Sequence, residues 1–198
     1  ERNNISYSAN HSYFIEIQNE DGSTKLERII EKQMPLPIQL SRVHKILNNY
    51  PIQRIELFCD IENGELEKLC VIFLLFDKYY SRGTEMVINI NLDIDEIFNC
   101  SYYPKGKNEF IKNAILGKGN KDSKFLDFLY STLQKVDNYD LSKNDKANFW
   151  GDIRRLLNKI NQLMPINPDS EIWSECGTKI FSIVEGLKGK NGYGKTRN

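Results

Sequence analysis

The hydrophobic period of this chain changes along its length, and that change limits the folds open to it. Up to about residue 92, apolar side chains recur at every second position, the spacing of strands with one buried face. From Asp93 onward they recur at three and four, the spacing of helices. A chain with strands first and helices afterwards folds as α+β, with sheet and helices segregated rather than alternating.

The strand half reads in order. Tyr13, Ile15 and Ile17 alternate with Glu16 and Gln18 over 12–19, Asp21-Gly22 supplies a turn, and 26–30 answers as a second strand. Pro35 and Pro37 then stop the ladder, because proline lacks the N–H that a central strand donates. Ser41 is placed to cap a short helix carrying Val43, Ile46 and Leu47, which ends before Pro51.

The best-specified element follows. Ile55, Leu57, Cys59 and Ile61 alternate, Asn63-Gly64 makes a two-residue turn, and 66–76 returns. That turn pairs Ile61 with Leu66 and leaves Cys59 and Cys70 diagonal, a poor disulfide geometry. Residues 69–76 are apolar on both faces, so Val71 and Phe73 are expected at the buried centre of the sheet. A further strand, 84–92, follows Arg82-Gly83.

Helices are expected near 94–100 and 108–116, then at 125–136. The clearest is opened by a capping box, Ser142 to Asp145, and carries Phe149, Ile153, Leu156, Leu157 and Ile160 on one stripe. A last helix near 170–187 aligns Trp173, Cys176, Ile180, Val184 and Leu187. The expectation is an antiparallel five-stranded sheet in ββαβββ order over 1–100, packed by four to five helices in 101–187 as one domain. Residues 188–198 form a basic flexible tail.

Charge divides along the same line. Residues 1–100 hold 10 Lys/Arg against 16 Asp/Glu, and residues 101–198 hold 17 against 11, so a net charge of zero hides an acidic half and a basic half. Such asymmetry suits docking against a charged partner. Four cysteines stand at wide spacing with no CxxC pair, and the only histidines are His11 and His44, which argues against a zinc site. No signal-peptide pattern opens the chain. The longest apolar run, 69–76, is far short of the roughly 20 residues a membrane helix needs. The expectation is a reduced, cytoplasmic protein that needs no cofactor and no membrane.

Three constellations carry possible chemistry. Tyr79, Tyr80 and Arg82 in one loop, and Tyr102, Tyr103, Lys105 and Lys107 in another, set paired aromatic rings beside cations, an arrangement that stacks bases and tracks phosphates of single-stranded nucleic acid. Near the end, Gly189, Gly194, Lys195 and Thr196 satisfy the phosphate-loop pattern. That loop works only after a buried strand and before a helix, and here a helix precedes it. On the central hairpin, Asp60 and Asp77, with Glu56, Glu65, Glu67 and Lys68 nearby, are candidate Mg²⁺ ligands of a nuclease, although the string lacks the Glu-x-Lys spacing. His44 beside Arg42 lacks an acid–base partner. With no convergent catalytic set, the expected role is a non-catalytic protein-interaction or assembly module, one subunit of a larger complex. Single-stranded nucleic-acid binding is the alternative. Nucleotide binding or metal-dependent nuclease action comes third.

Overall fold

The structure, a computed structural model, describes residues 7–18, 23–48, 50–61, 64–76, 78–117, 121–162, 175 and 178–187. Among them the strands are β1 (Tyr13–Gln18), β2 (Thr24–Ile30), β3 (Ile38–Lys45), β4 (Ile52–Asp60), β5 (Leu66–Leu75), β6 (Glu85–Leu92), β7 (Phe98–Pro104), β8 (Lys112–Asn113) and β9 (Ile115–Gly117). The helices are α1 (Lys121–Asp137), α2 (Lys143–Gln162) and a stretch at 178–187. The α+β class and the antiparallel pairing are as expected. The single five-stranded sheet is not: there are two sheets, ordered β2-β1-β4-β5-β9 and β3-β6-β7-β8.

In the second sheet β6 is the strand expected at 84–92, whereas its partners draw on segments that sequence reading assigned to helices. Residues 41–45 of the expected helix belong instead to β3, which pairs with β6 along its whole length from Ile38↔Leu92 to Lys45↔Glu85. Val43 and Ile46 fit a helical stripe, but Ile38, Leu40, Arg42 and His44 also fit period two, and eight ladder residues outweigh one short helix. Residues 94–100 also resolve differently. Asp93 Oδ1 accepts from the amides of Asp95 at 2.9 Å and Ile97 at 2.8 Å, closing a turn, and Phe98, Cys100, Tyr102 and Pro104 then alternate inward along β7. The helix expected at 108–116 is a single 3₁₀ turn, Asn108–Phe110, followed by β8 and β9.

The central hairpin forms as a neighbouring pair, with a different turn. Ile61 N–H donates to the Glu65 carbonyl at 2.9 Å, Gly64 N–H donates back to Ile61 at 3.3 Å, and Gly64 sits at φ +76°. That is the bonding of a three-residue loop closed by a glycine bulge, which sets Ile61 against Glu65 rather than Leu66. Val71 and Phe73 are buried as expected, at 4% and 0% exposure. Cys59, Cys70 and Cys100 are buried and not joined in disulfides.

The chain divides into two compact units. The first comprises Glu1–Asn49, Arg54–Leu74 and Tyr80–Lys118; the second comprises Tyr50–Gln53, Leu75–Tyr79 and Gly119–Asn198. In the first, the inward residues of β6 and β7 face those of the other sheet: Tyr13 meets Phe98 edge-on at 4.9 Å, and Arg42 Nε on β3 donates to Glu27 Oε1 on β2 at 3.0 Å. Burial lifts the Cys100 thiol to a pKa of about 12, with Cys70 of the opposite sheet adding to the shift. Each fully buried Ile, Leu or Phe here contributes roughly 1.5–3 kcal/mol by leaving water.

In the second unit, α1 buries Leu126, Leu129, Leu133 and Val136, α2 buries Phe149, Ile153 and Leu157, and 178–187 buries Ile180, Val184 and Leu187. These are the stripes that period 3.6 requires. Ser142 Oγ accepts from the Asp145 amide at 3.1 Å and donates to its carboxylate at 2.8 Å, so the expected cap holds the start of α2.

Candidate functional site

One end of the two-sheet unit is gathered around residues 9–13. Ala9 N–H donates to the Met34 carbonyl and Gln33 N–H donates to the Ala9 carbonyl, each at 2.9 Å. Ser12 N–H donates to Asp60 Oδ1 at 2.7 Å, while Lys32 N–H donates to Ser12 Oγ at 3.1 Å. His11 Nδ1 lies 2.7 Å from the Asp60 carbonyl. Glu96 closes the other side. Its carboxylate accepts from Asn10 N–H at 3.1 Å, from the Asn10 side-chain amide, and from the Tyr13 hydroxyl at 2.5 Å. Burial raises the Tyr13 phenol well above its ordinary range, and Glu96 adds to that shift.

Two non-glycine residues at this end occupy the left-handed region: Gln33 at φ 71° and Glu96 at φ 57°. Side chains there cost roughly 1–2 kcal/mol each, and persist where surrounding bonds over-determine the backbone. The bonds just described do so. Around this frame, Tyr7, Met34, Ile94 and Ile97 stand 39–50% exposed, beside Asp93, Asp95, Lys32 and a Glu31 that pairs with Arg28 at 3.5 Å. The arrangement is a hydrogen-bonded mount that displays apolar side chains among charged ones. Sequence reading missed it. The only local signal was Asp93-Ile-Asp-Glu96, a turn-forming string, because the partners of Glu96 lie 83 and 86 positions away.

The tyrosine–lysine residues differ in their surroundings. Tyr102, expected as a stacking ring, is 2% exposed on the inward face of β7. Its position in strand alternation sends it to the core, so it cannot take a base. Tyr103, its neighbour, faces outward opposite Val87. Lys105 Nζ donates to Glu85 Oε2 at 2.7 Å, which lowers the Glu85 carboxyl, and Lys107 is exposed. Tyr80 is half-buried and Arg82 exposed. Tyr79 belongs to the helical unit and is exposed, its ring 5.3 Å beneath the Arg154 guanidinium.

Asp60 serves the frame just described. Of the other hairpin acids, Glu56 is tied into ion pairs, meeting Arg54 and also Lys68 at 3.1 Å. Burial raises the Glu56 carboxyl, and those two cations more than offset it, leaving it lowered. Asp77, Gly189, Gly194, Lys195 and Thr196 lie outside the described residues, as do Trp173 and Cys176. Among the described residues, no three His, Cys, Asp or Glu side chains converge as a metal site. No described helix is long and apolar enough to cross a membrane.

In the helical unit, Tyr50 stacks on Trp150 at 5.6 Å, meets Tyr130 edge-on at 6.0 Å, and donates to Asp137 at 3.4 Å. Its phenol is pushed up to about 12, chiefly by burial and then by Asp137. This cluster locks Tyr50 to α1 and α2 and is structural. The chain matches no protein-family model and no curated protein sequence.

Proposed function

We propose that this chain is a non-catalytic protein-interaction module that receives its partner on the end of the two-sheet unit formed by Tyr7, Met34, Ile94 and Ile97. The observation that carries the reading is the frame beneath them. Glu96 and Asp60 hold residues 9–13 from both sides, so the apolar side chains are presented without the ordering cost that weakens flexible binding loops. Asp93 and Asp95 beside Ile94 and Ile97 favour a partner with an apolar centre and a basic group facing them, while Glu31 is already paired with Arg28. Single-stranded nucleic-acid binding ranks below it, since Tyr102 is interior and Lys105 is neutralised by Glu85.

A photo-crosslinking residue tests the reading. Placed at Ile97, it should capture one discrete protein, and Ile94→Asp should abolish the capture while thermal stability holds. Placed at Val43, on the outer face of β3, the same probe should capture no protein. Equal yields from both positions, or capture that survives Ile94→Asp, would remove the support for this docking end.

A further inference from the structure

The outer face of the four-stranded sheet is unusual in what it lacks. Strand register aligns Gln39, Asn91 and Asn99 in one row, and Ser41, Asn89 and Ser101 in the next. Neither row contains a charge or an apolar side chain. A third row, Val43, Val87 and Tyr103, is wholly non-ionic and presents aliphatic and aromatic surface. Five of the polar residues, Gln39, Ser41, Asn89, Asn91 and Ser101, line a depression of about 620 Å³.

The two polar rows differ in how their groups are satisfied. Ser41 Oγ donates to Asn89 Oδ1 at 2.7 Å, and Asn89 Nδ2 donates to Ser101 Oγ at 3.4 Å, so this row is pre-ordered. In the row beside it, Asn91 Oδ1 is shielded from solvent with no hydrogen-bond partner. A shielded carbonyl without a donor costs free energy, and the cost is recovered when the Asn91 side chain turns outward to a donor that a ligand brings.

A ligand for this face must carry donors and acceptors close together, no net charge, and some apolar surface for the valine–tyrosine row. On the two polar rows a phosphodiester or a charged peptide would shed water without meeting a counter-charge, since the charges of this face, Lys45, Glu85 and Lys105, lie beyond the valine–tyrosine row and Lys105 is already bonded to Glu85. Hydroxyl groups both donate and accept, as the side-chain amides do, and the C–H faces of a sugar ring suit Tyr103. Neighbouring strands are roughly 4.8 Å apart, about the length of one ring in an extended sugar chain. We propose that the outer face of β3, β6 and β7 is a binding site for a neutral, hydroxyl-rich ligand, an uncharged oligosaccharide. The site lies on a different surface from the docking end and does not depend on it.

The test uses the full chain, isotopically labelled, titrated with soluble gluco-, manno-, galacto- and xylo-oligosaccharides and with chito-oligosaccharide. The expected result is saturable amide shifts confined to β3, β6 and β7 with at least one of them. Asn89→Ala and Asn91→Ala should each weaken it about tenfold, as expected for one lost hydrogen bond of roughly 1.4 kcal/mol. Tyr103→Ala should weaken it as well, with the thermal midpoint of Asn91→Ala unchanged or raised. The proposal is overturned if no sugar in the panel shifts these amides at millimolar concentration, or if binding survives the Asn89→Ala, Asn91→Ala double variant. Preference of the face for a single-stranded oligonucleotide or an extended peptide over every sugar would overturn it equally.

Discussion

Glu96 is the residue on which the docking end turns, and its replacement separates two contributions that ordinarily come mixed. In Glu96→Ala, the hydroxyl of Tyr13, itself 4% exposed, loses its carboxylate partner. A hydrogen bond to a charged group contributes about 1.5–3 kcal/mol. The two donors of Asn10 also lose their acceptor, but that residue is exposed, so water replaces most of the loss. The expected cost is about 2–4 kcal/mol. For a chain of this length each kcal/mol moves the midpoint by roughly 2–4 °C, so the shift is on the order of 5–15 °C. Glu96→Gly loses the same bonds, yet relieves the left-handed strain at φ 57°. It should therefore be more stable than the alanine variant by about 1 kcal/mol.

Denaturant unfolding followed by circular dichroism in the β-sheet region gives both numbers, and Tyr13→Phe completes a double-mutant cycle. In the Glu96→Ala background, Tyr13→Phe should cost almost nothing, a coupling of at least about 1.5 kcal/mol. The reasoning is refuted by a Glu96→Ala cost below about 0.5 kcal/mol, by a glycine variant no better than alanine, or by additive Tyr13 and Glu96 effects.

Two other outcomes follow from the same physics. Burial lowers the pKa of His44, which lies on the inward side of β3 opposite Met86, so the folded chain favours the neutral ring. Its contribution is full above the unfolded value of about 6.5 and declines as pH falls below it towards the lowered folded value, at no more than about 1.4 kcal/mol per pH unit. His44→Gln should flatten that part of a stability-against-pH profile, and an unchanged slope would show that the ring is not the titrating group. Ser142→Ala should cost about 1 kcal/mol by uncapping α2, and Ser142→Gly only a few tenths. Helical ellipticity through thermal melting reads both.

What could be read in the sequence depended on whether a segment's pattern had one meaning. The β4–β5 hairpin was legible because alternation and Asn63-Gly64 agree, even though the bulge moved the register by one. The helices α1 and α2 were legible because their stripes run over three or more turns, longer than any strand pattern could imitate. Segments 38–45 and 94–104 were misread because each satisfies both periods over a short span. Val43 with Ile46, and Ile94 with Ile97, sit three apart, whereas the alternation of Ile38 with Leu40 and of Phe98 with Cys100 and Tyr102 is confined to their strands. Only pairing with β6 from both sides decides between them, and that is a tertiary fact. The docking end was illegible for a related reason. Asn10, Tyr13, Asp60 and Glu96 mean nothing until the strands return them to one place.

The charge asymmetry changes meaning once the units are known. Divided at residue 100, the chain reads as strongly acidic then strongly basic. Divided as the chain folds, the two-sheet unit holds 13 Lys/Arg against 16 Asp/Glu and the helical unit 14 against 11. Lys105, Lys107, Lys112 and Lys118 move to the β-sheet side with Glu109, and the contrast halves. A weakly charged body does little long-range steering at physiological ionic strength, where the Debye length is about 8 Å. Recognition at either proposed surface of the two-sheet unit therefore has to rest on local chemistry. At the docking end that chemistry is carboxylates bordering apolar side chains; on the outer face of β3, β6 and β7 it is amides and hydroxyls without charge. These surfaces differ in salt response: added salt should weaken a partner at those carboxylates and leave a neutral ligand on the amide face untouched.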